Sequence, residues 1–497
     1  MGALACSLAA LLLAGTPTGG KRLDTVVQDD ALMLARPAAV VRQTARYIAG
    51  LGADRLRLTA SWSAIAPAAR ANVRPGRPFD PADPSTYPAG AWTRLDTAVQ
   101  AARDAGLGVM MDLGFWAPRW AVARPSSNPS RERYRPDPGQ FAAFATAVVR
   151  RYGSVVHVYT PWNEPNHPSF LAPQWVDGRP ESPHVYRAMY QAAYDAIKRV
   201  RPDAQVLLGG TSATGSDGSG GGGVPPLRFL RELACVDDRL QPLRVPECRT
   251  FRPLQADGYA HHPYSRRTDP SVSDPNPDDV PLADVGRLTA LLRELSARGR
   301  IAGPPLPLYD TEFGYESRPD DPYAPFDRAQ AATNLSHATF MAWEDPDTRM
   351  FAQFLLRDID PAASGAQPGS RRYYRDWQTG LIDANGRPKP ALQAFRLPFW
   401  AEVHAGGDPS HRAIVAWGMV RPARGRAIVR IEERAPDGAW HPVSATTRDE
   451  CGDMDFLTDA TGTFAATLLG TGPLTLRMSW RHGDGTWEPS LPVTTGP

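Results

Sequence analysis

The chain has 497 residues, 42 % of them hydrophobic, and a formal net charge of +2. The length accommodates a barrel of about 250 residues plus a further module, and the near-balanced charge gives no reason to expect a nucleic-acid or acidic-membrane partner. Pro (50) and Gly (43) are abundant, but apolar periodicity persists throughout, so they indicate turns rather than disorder.

Residues 1–16 are apolar and too short to cross a membrane. They read as the hydrophobic part of a secretory signal, assigned to residues 1–20, so the protein is expected to be secreted. The signal is atypical, because no Lys or Arg precedes it; a short buried helix is the other reading. No other segment looks membrane-spanning. Cys235 and Cys248 flank a polar, Pro-containing loop, and a disulfide closing it is expected in an oxidising compartment. Cys6 would leave with the signal, and Cys451 has no obvious partner.

From about residue 24 to 395 strand-like and helix-like segments alternate, which predicts an α/β fold with a (β/α)8 barrel. Candidate strands lie at 25–28, 55–59, 108–113, 155–160, 205–209, from 257, 307–312 and 350–356. Amphipathic helices are expected at 37–51, 92–105, 141–152, 185–200, 285–298 and 329–343, with a closing helix at 391–397. Long connections at 212–226, 268–281 and 358–375 follow strands, where a barrel builds its functional face. Beyond residue 400 short alternating runs separated by Gly/Asp turns predict a small β-sandwich, so the domains are read as 21–399 and 400–497.

The segment Trp162-Asn163-Glu164-Pro165-Asn166 closes the fourth candidate strand. An Asn-Glu pair at the mouth of a barrel places a proton donor beside an amide that can hold a sugar, as glycosidic cleavage requires. A second carboxyl, Glu312, ends the seventh strand in Tyr309-Asp310-Thr311-Glu312-Phe313-Gly314. Asp310 and Glu316 are its rivals. Asp310 points the same way from a deeper position, and Glu316, beyond the glycine, is expected to be exposed. In this order the two motifs resemble clan A of the retaining glycoside hydrolases, whose members are (β/α)8 barrels.

The resemblance implies that Glu164 is the acid/base and Glu312 the nucleophile, with Asn163 on the sugar 2-hydroxyl. It also implies that Arg57 holds Glu312 ionised, Arg55 being the competing candidate, and that Tyr264, in His262-Pro263-Tyr264, bonds the nucleophile. Trp116 and Trp120 are expected to be stacking platforms for sugar faces. The stretch from Leu113 to Trp120 is closer to family 39 β-xylosidases than to family 5 cellulases, which usually carry a His there. The usual eighth-strand Trp is also missing, leaving Gln353, Arg357 or Trp377 to contact substrate.

The expected activity is hydrolysis of β-linked O-glycosidic bonds in a glycoside, oligosaccharide or polysaccharide by double displacement. No cofactor and no metal is expected: His261 and His262 lack further ligands at useful spacing. A catalytically weak carbohydrate-binding barrel and a transglycosylase on the same residues are the alternatives. Sugar, linkage, endo or exo action and oligomeric state are not legible in the sequence.

Overall fold

The computed structural model describes residues 10–16, 22–123, 131–216, 218, 221–403, 412–447, 450–453, 455–470 and 472–496. Eight parallel strands close into a barrel: β1 Asp24–Gln28, β2 Arg55–Thr59, β3 Gly108–Leu113, β4 Val158–Pro161, β5 Gln205–Ser212, β6 Gly258–His262, β7 Leu308–Phe313 and β8 Thr348–Phe354. Each is followed by a helix: α1 Ala38–Gly50, α2 Thr93–Asp104, α3 Pro138–Tyr152, α4 Ser182–Val200, α5 Pro226–Leu233, α6 Val285–Ala297, α7 Arg328–Glu344 and α8 Pro390–Arg396. The cause is local. Val, Leu and Met runs buried on both faces make the strands, and the helices carry an apolar stripe against them. Asp137 and Asp327 cap α3 and α7 by accepting from the backbone N–H of Gln140 and Gln330.

Inside the barrel the side chains change character with height. Val26, Met110, Val158, Leu207, Ala260 and Ala352 form a closed apolar layer. Above it, at the C-terminal strand ends, stand Gln28, Arg57, Asp112, Thr160, His262 and Glu312, all buried. With a side-chain period of two, the next inward position after Val26, Met110, Val158 and Ala260 is Gln28, Asp112, Thr160 and His262, so on these four strands the pattern itself puts polar groups at the mouth.

From Phe399 onward the chain forms antiparallel sheets: β9 Phe399–Val403, β10 Arg412–Met419, β11 Ile428–Arg434, β12 Thr463–Gly470 and β13 Thr475–Arg481 supply their main strands. They enclose a second core around Phe399, Ile414, Val429, Ile431, Leu468 and Met478. This β-sandwich lies against the N-terminal ends of the barrel strands. Arg421, buried, bonds the Thr25 hydroxyl at 3.1 Å and the carbonyl of Phe395. Gly52 (φ +87°) meets the backbone of Arg421 so closely that a Cβ would sit 2.3 Å from its carbonyl. To one side His337 of α7 stacks on Trp400 at 3.8 Å.

Of the proposed signal, only Ala10–Thr16 lies among the described residues. Its backbone is a strand, not a helix, antiparallel to β12 from Ala10↔Gly470 to Thr16↔Ala465. Residues 1–9 and 17–20 lie outside the described residues.

Cys235 and Cys248 are disulfide-bonded, with Cα atoms 5.7 Å apart. The bridge pins the loop after α5, where Arg300 donates to the carbonyls of Ala234 and Cys235. Replacing both cysteines by serine should lower unfolding free energy by about 3 kcal/mol through the freed loop entropy, read by urea denaturation followed at the tryptophans.

Candidate active site

Each proposed acidic residue is delivered by a different strand end. After β4 the chain turns sharply, with Trp162 (φ +80°) and Glu164 (φ +37°) in the left-handed region. Such positions cost about 1–3 kcal/mol each in non-glycine residues and persist only when their surroundings fix them. Here they are fixed. Trp162 N–H donates to Leu113 O (3.0 Å) and Glu164 N–H to Gly210 O (2.9 Å), while the buried Trp162 ring packs edge-on against Phe141. Asn166 completes the latch: its Oδ1 accepts from Ser212 N–H (2.8 Å) and its Nδ2 donates to the carbonyls of Ser212 and Val224. The sequence reading gave Asn166 no role.

Arg57 is the hub. It projects inward from β2 and donates through Nη1 to Glu312 Oε1 and Gln28 Oε1, and through Nη2 to Asn163 Oδ1 at 2.9 Å. Asp112 lies 3.7 Å from the same Nη2. Arg55, the competing candidate, pairs instead with Asp24 at the start of β1. Since a guanidinium only donates, Asn163 must present its oxygen to Arg57, leaving its NH2 as the free donor. On the other side of Glu312 the Tyr264 hydroxyl donates to Oε2 at 3.2 Å. Burial, with the adjoining Glu312 charge, pushes the Tyr264 phenol well up, so it keeps its proton.

His262 bridges the two carboxyls. Its Nδ1 is 3.0 Å from Glu164 Oε1 and 3.7 Å from Glu312 Oε2. One oxygen from each carboxyl and a ring nitrogen of His262 all lie within 4.8 Å of one another. Burial pushes the Glu164 carboxyl up, but the hydrogen bond and charge of His262, then His167 and Arg266, more than offset it, and the net shift is downward. Burial also pushes Asp112 up to about 6, against the pull of Arg57.

The other proposed residues divide. Trp116 is exposed at the rim, its indole N–H donating to Ser169 O at 2.8 Å. Trp120 does not join the group: its half-buried ring packs on Trp62 and Phe79, its N–H donates to Pro67 O, and it lines a separate cavity with Val122, Arg135 and His184. A Trp beside a strand end is as readily a core anchor as a sugar platform, and the sequence does not separate the two. His261 bonds Thr211 and the carbonyl of Val280, and burial lowers it to about 4. Asp310 is buried below Glu312. Glu316, expected to be exposed, is half-buried. Gly314 is required by a close approach: a Cβ would lie 2.4 Å from Phe354 O.

Among the three candidates to replace the missing eighth-strand Trp, Gln353 donates to Leu355 O and Thr379 O, and Arg357 to Ala384 O. Trp377 reaches the site, stacked on Tyr264 at 5.2 Å and 19°. The buried Lys389 holds its loop in place, donating to both oxygens of Asp358 (2.9 and 3.1 Å) and to Gln378 O (3.1 Å).

Among the described residues two groups have metal-ligand spacing. One is Glu164, His262 and Glu312, where the Arg57 cation already contacts Glu312. The other is His184 with Cys235 and Cys248, whose sulfurs are joined to each other.

Residues 25–281 match the model of the cellulase family, glycosyl hydrolase family 5. The chain belongs to this family. It does so although its third-strand loop lacks the His expected of the cellulases. Similar solved structures include a glucosidase from Croceicoccus marinus (14 % identity, 93 % of this chain and 98 % of that one, TM-score 0.49). A monomeric β-xylosidase from Caulobacter crescentus CB15 has 18 % identity, covering 92 % and 98 %, with TM-score 0.48. An exo-β-1,4-mannosidase from Opitutaceae bacterium strain TAV5 has 17 % identity, covering 75 % and 58 %, with TM-score 0.45. No curated protein matches. The family 5 chain is thus a glycosidase with a barrel catalytic fold.

The His262 contact predicts a pH signature. In His262→Phe, Glu164 keeps its burial but loses the partner that draws its proton affinity down. Its pKa therefore rises, and the alkaline limb of kcat/KM, which reports loss of the acid's proton, moves to higher pH. The profile on an aryl glycoside checks it; an unmoved or lowered limb would remove His262 from proton control.

Proposed function

We propose that this family 5 glycosidase cleaves β-linked glycosides with retention, Glu312 acting as nucleophile and Glu164 as acid/base. The observation that carries this reading is the proximity of the two carboxyls, with oxygens within 4.8 Å and His262 between them. Retaining enzymes hold the pair about 5–5.5 Å apart, whereas inversion needs roughly 6.5–9.5 Å to admit a water.

The roles follow from the contacts. Arg57 and Tyr264 donate to the Glu312 carboxylate, one to each oxygen, and aim it at the anomeric carbon. In the first step an oxygen of Glu312 bonds that carbon while the glycosidic bond breaks, and Glu164 gives its proton to the leaving oxygen. In the second step Glu164 takes a proton from water, which displaces Glu312. His262, 3.0 Å from Glu164, fixes the orientation of that carboxyl toward the leaving oxygen. Asn163, its oxygen held by Arg57, offers its NH2 to the sugar 2-hydroxyl. Trp377 supplies the ring that the end of β8 lacks.

The first-formed product on an aryl β-glycoside should keep the β configuration by NMR; an inverted product overturns the assignment. Glu312→Ala should lose turnover by at least about 10³-fold. Glu164→Ala should still react with substrates bearing good leaving groups, and azide should then restore release.

We also propose export. The disulfide and the apolar residues 1–16 support it. Cleavage after residue 20 would remove Ala10–Thr16 from the edge of β12. N-terminal sequencing of secreted protein decides it: a mature chain starting near residue 21 is expected, and one retaining residues 10–16 identifies them as a structural strand.

A further inference from the structure

Arg266 stands two residues beyond Tyr264, and its guanidinium carbon lies 4.9 Å from the centre of the Trp377 ring and 5.8 Å from that of Tyr264. The two rings stack on each other, and the Tyr264 hydroxyl reaches Glu312. A continuous aromatic wall therefore runs from the proposed nucleophile to a guanidinium. The Arg266 side chain is exposed, and no carboxylate among the described residues comes within 4.0 Å of it. Its neighbours at this height are engaged otherwise: Arg328 pairs with Asp320 and Asp383, and Arg357 is bonded to Ala384 O.

The charges around it are mixed but do not neutralise it by contact. Arg267 and Arg372 are also exposed, and Arg371 lies over Tyr323, in the loop that packs on the one carrying Trp377. Glu316 is the carboxyl that shares the rim. Burial, then the charge of Asp321, pushes it up to about 7, so near neutral pH it carries only part of its charge. A neutral sugar offers a guanidinium only hydroxyl and ring oxygens, with no charge to match it. A carboxylate matches it, because the planar fork takes both its oxygens while the sugar's apolar face rests on the ring.

We propose that the subsite beside Glu312 takes a uronic acid, its carboxylate bound by Arg266 over the Trp377 ring. The inference rests on Glu164 and Glu312 being the catalytic pair.

The test compares 4-nitrophenyl β-D-glucuronide with the β-D-glucoside in the full chain and in Arg266→Gln and Arg266→Lys. The wild type should prefer the glucuronide. In Arg266→Gln the glucuronide-to-glucoside ratio of kcat/KM should fall roughly 10- to 100-fold, the value of a hydrogen bond to a charged group; Arg266→Lys should fall between. A wild-type preference for the glucoside, or a ratio unmoved by Arg266→Gln, overturns the inference while leaving the catalytic pair intact. Loss of all turnover in the wild type would instead count against the pair. Calorimetric binding of D-glucuronate and D-glucose then decides the subsite alone: glucuronate bound in preference to glucose, and weakened at least about 10-fold in Arg266→Gln, supports it, and equal or absent binding overturns it.

Discussion

A single buried cation organises the mouth of this barrel. Arg57 is surrounded by groups from β1, β3, β7 and the turn after β4, and it satisfies Gln28, Glu312 and Asn163 at once. A guanidinium withdrawn from water is costly unless its fork is filled. That cost disciplines its partners: each must stand where a donor already points. The position of Glu312 is therefore set by a network that exists before any sugar arrives, and Asn163 is oriented by the same atom set. Lys in this place would offer a point charge on a flexible stem and could not hold three acceptors in one plane.

Preorganisation extends outward from that hub. The left-handed turn carrying Glu164 is held by backbone bonds to β3 and to Gly210, and by Asn166 against β5 and the following loop. Strain placed there is retained because the neighbours over-determine it. His262 then ties the two carboxyls together from β6, so a proton on one side is felt on the other. Electrostatic arrangements of this kind act without reorganising during reaction, which is where enzymes gain most.

Much of this was legible in the sequence because it follows from periodicity. Alternating strand-like and helix-like segments announce the barrel and put Glu164 and Glu312 at strand ends, while the roles of Arg57, Tyr264 and both carboxyls came from the resemblance to clan A. What depends on long-range folding was not legible. The sequence left Trp377 as one of three candidates, and only the fold selects it: it lies 113 positions beyond Tyr264, yet the two rings stack because Lys389 and Asp358 fold a loop back over the mouth. Trp120 has the same local signature as Trp116 but is half-buried, packed on Trp62 and Phe79. Arg266 carries no motif at all; only its neighbours give it meaning. Nor does the sequence show why residue 314 is glycine: a carbonyl from β8 passes too close for a side chain.

The β-sandwich meets the barrel at the end opposite the mouth, with Gly52 and Thr25 against Arg421. The fold is therefore polarised. One pole is a joint closed by backbone contact and the hydrogen bonds of a buried arginine, the other a charged basin at the barrel mouth. The apolar layer of Val26, Met110, Val158 and their neighbours insulates one from the other. The sandwich is nonetheless no ornament: Trp417 packs against Phe340 and Trp343 of α7, so the outer wall of the barrel and the sheets below it share one buried cluster.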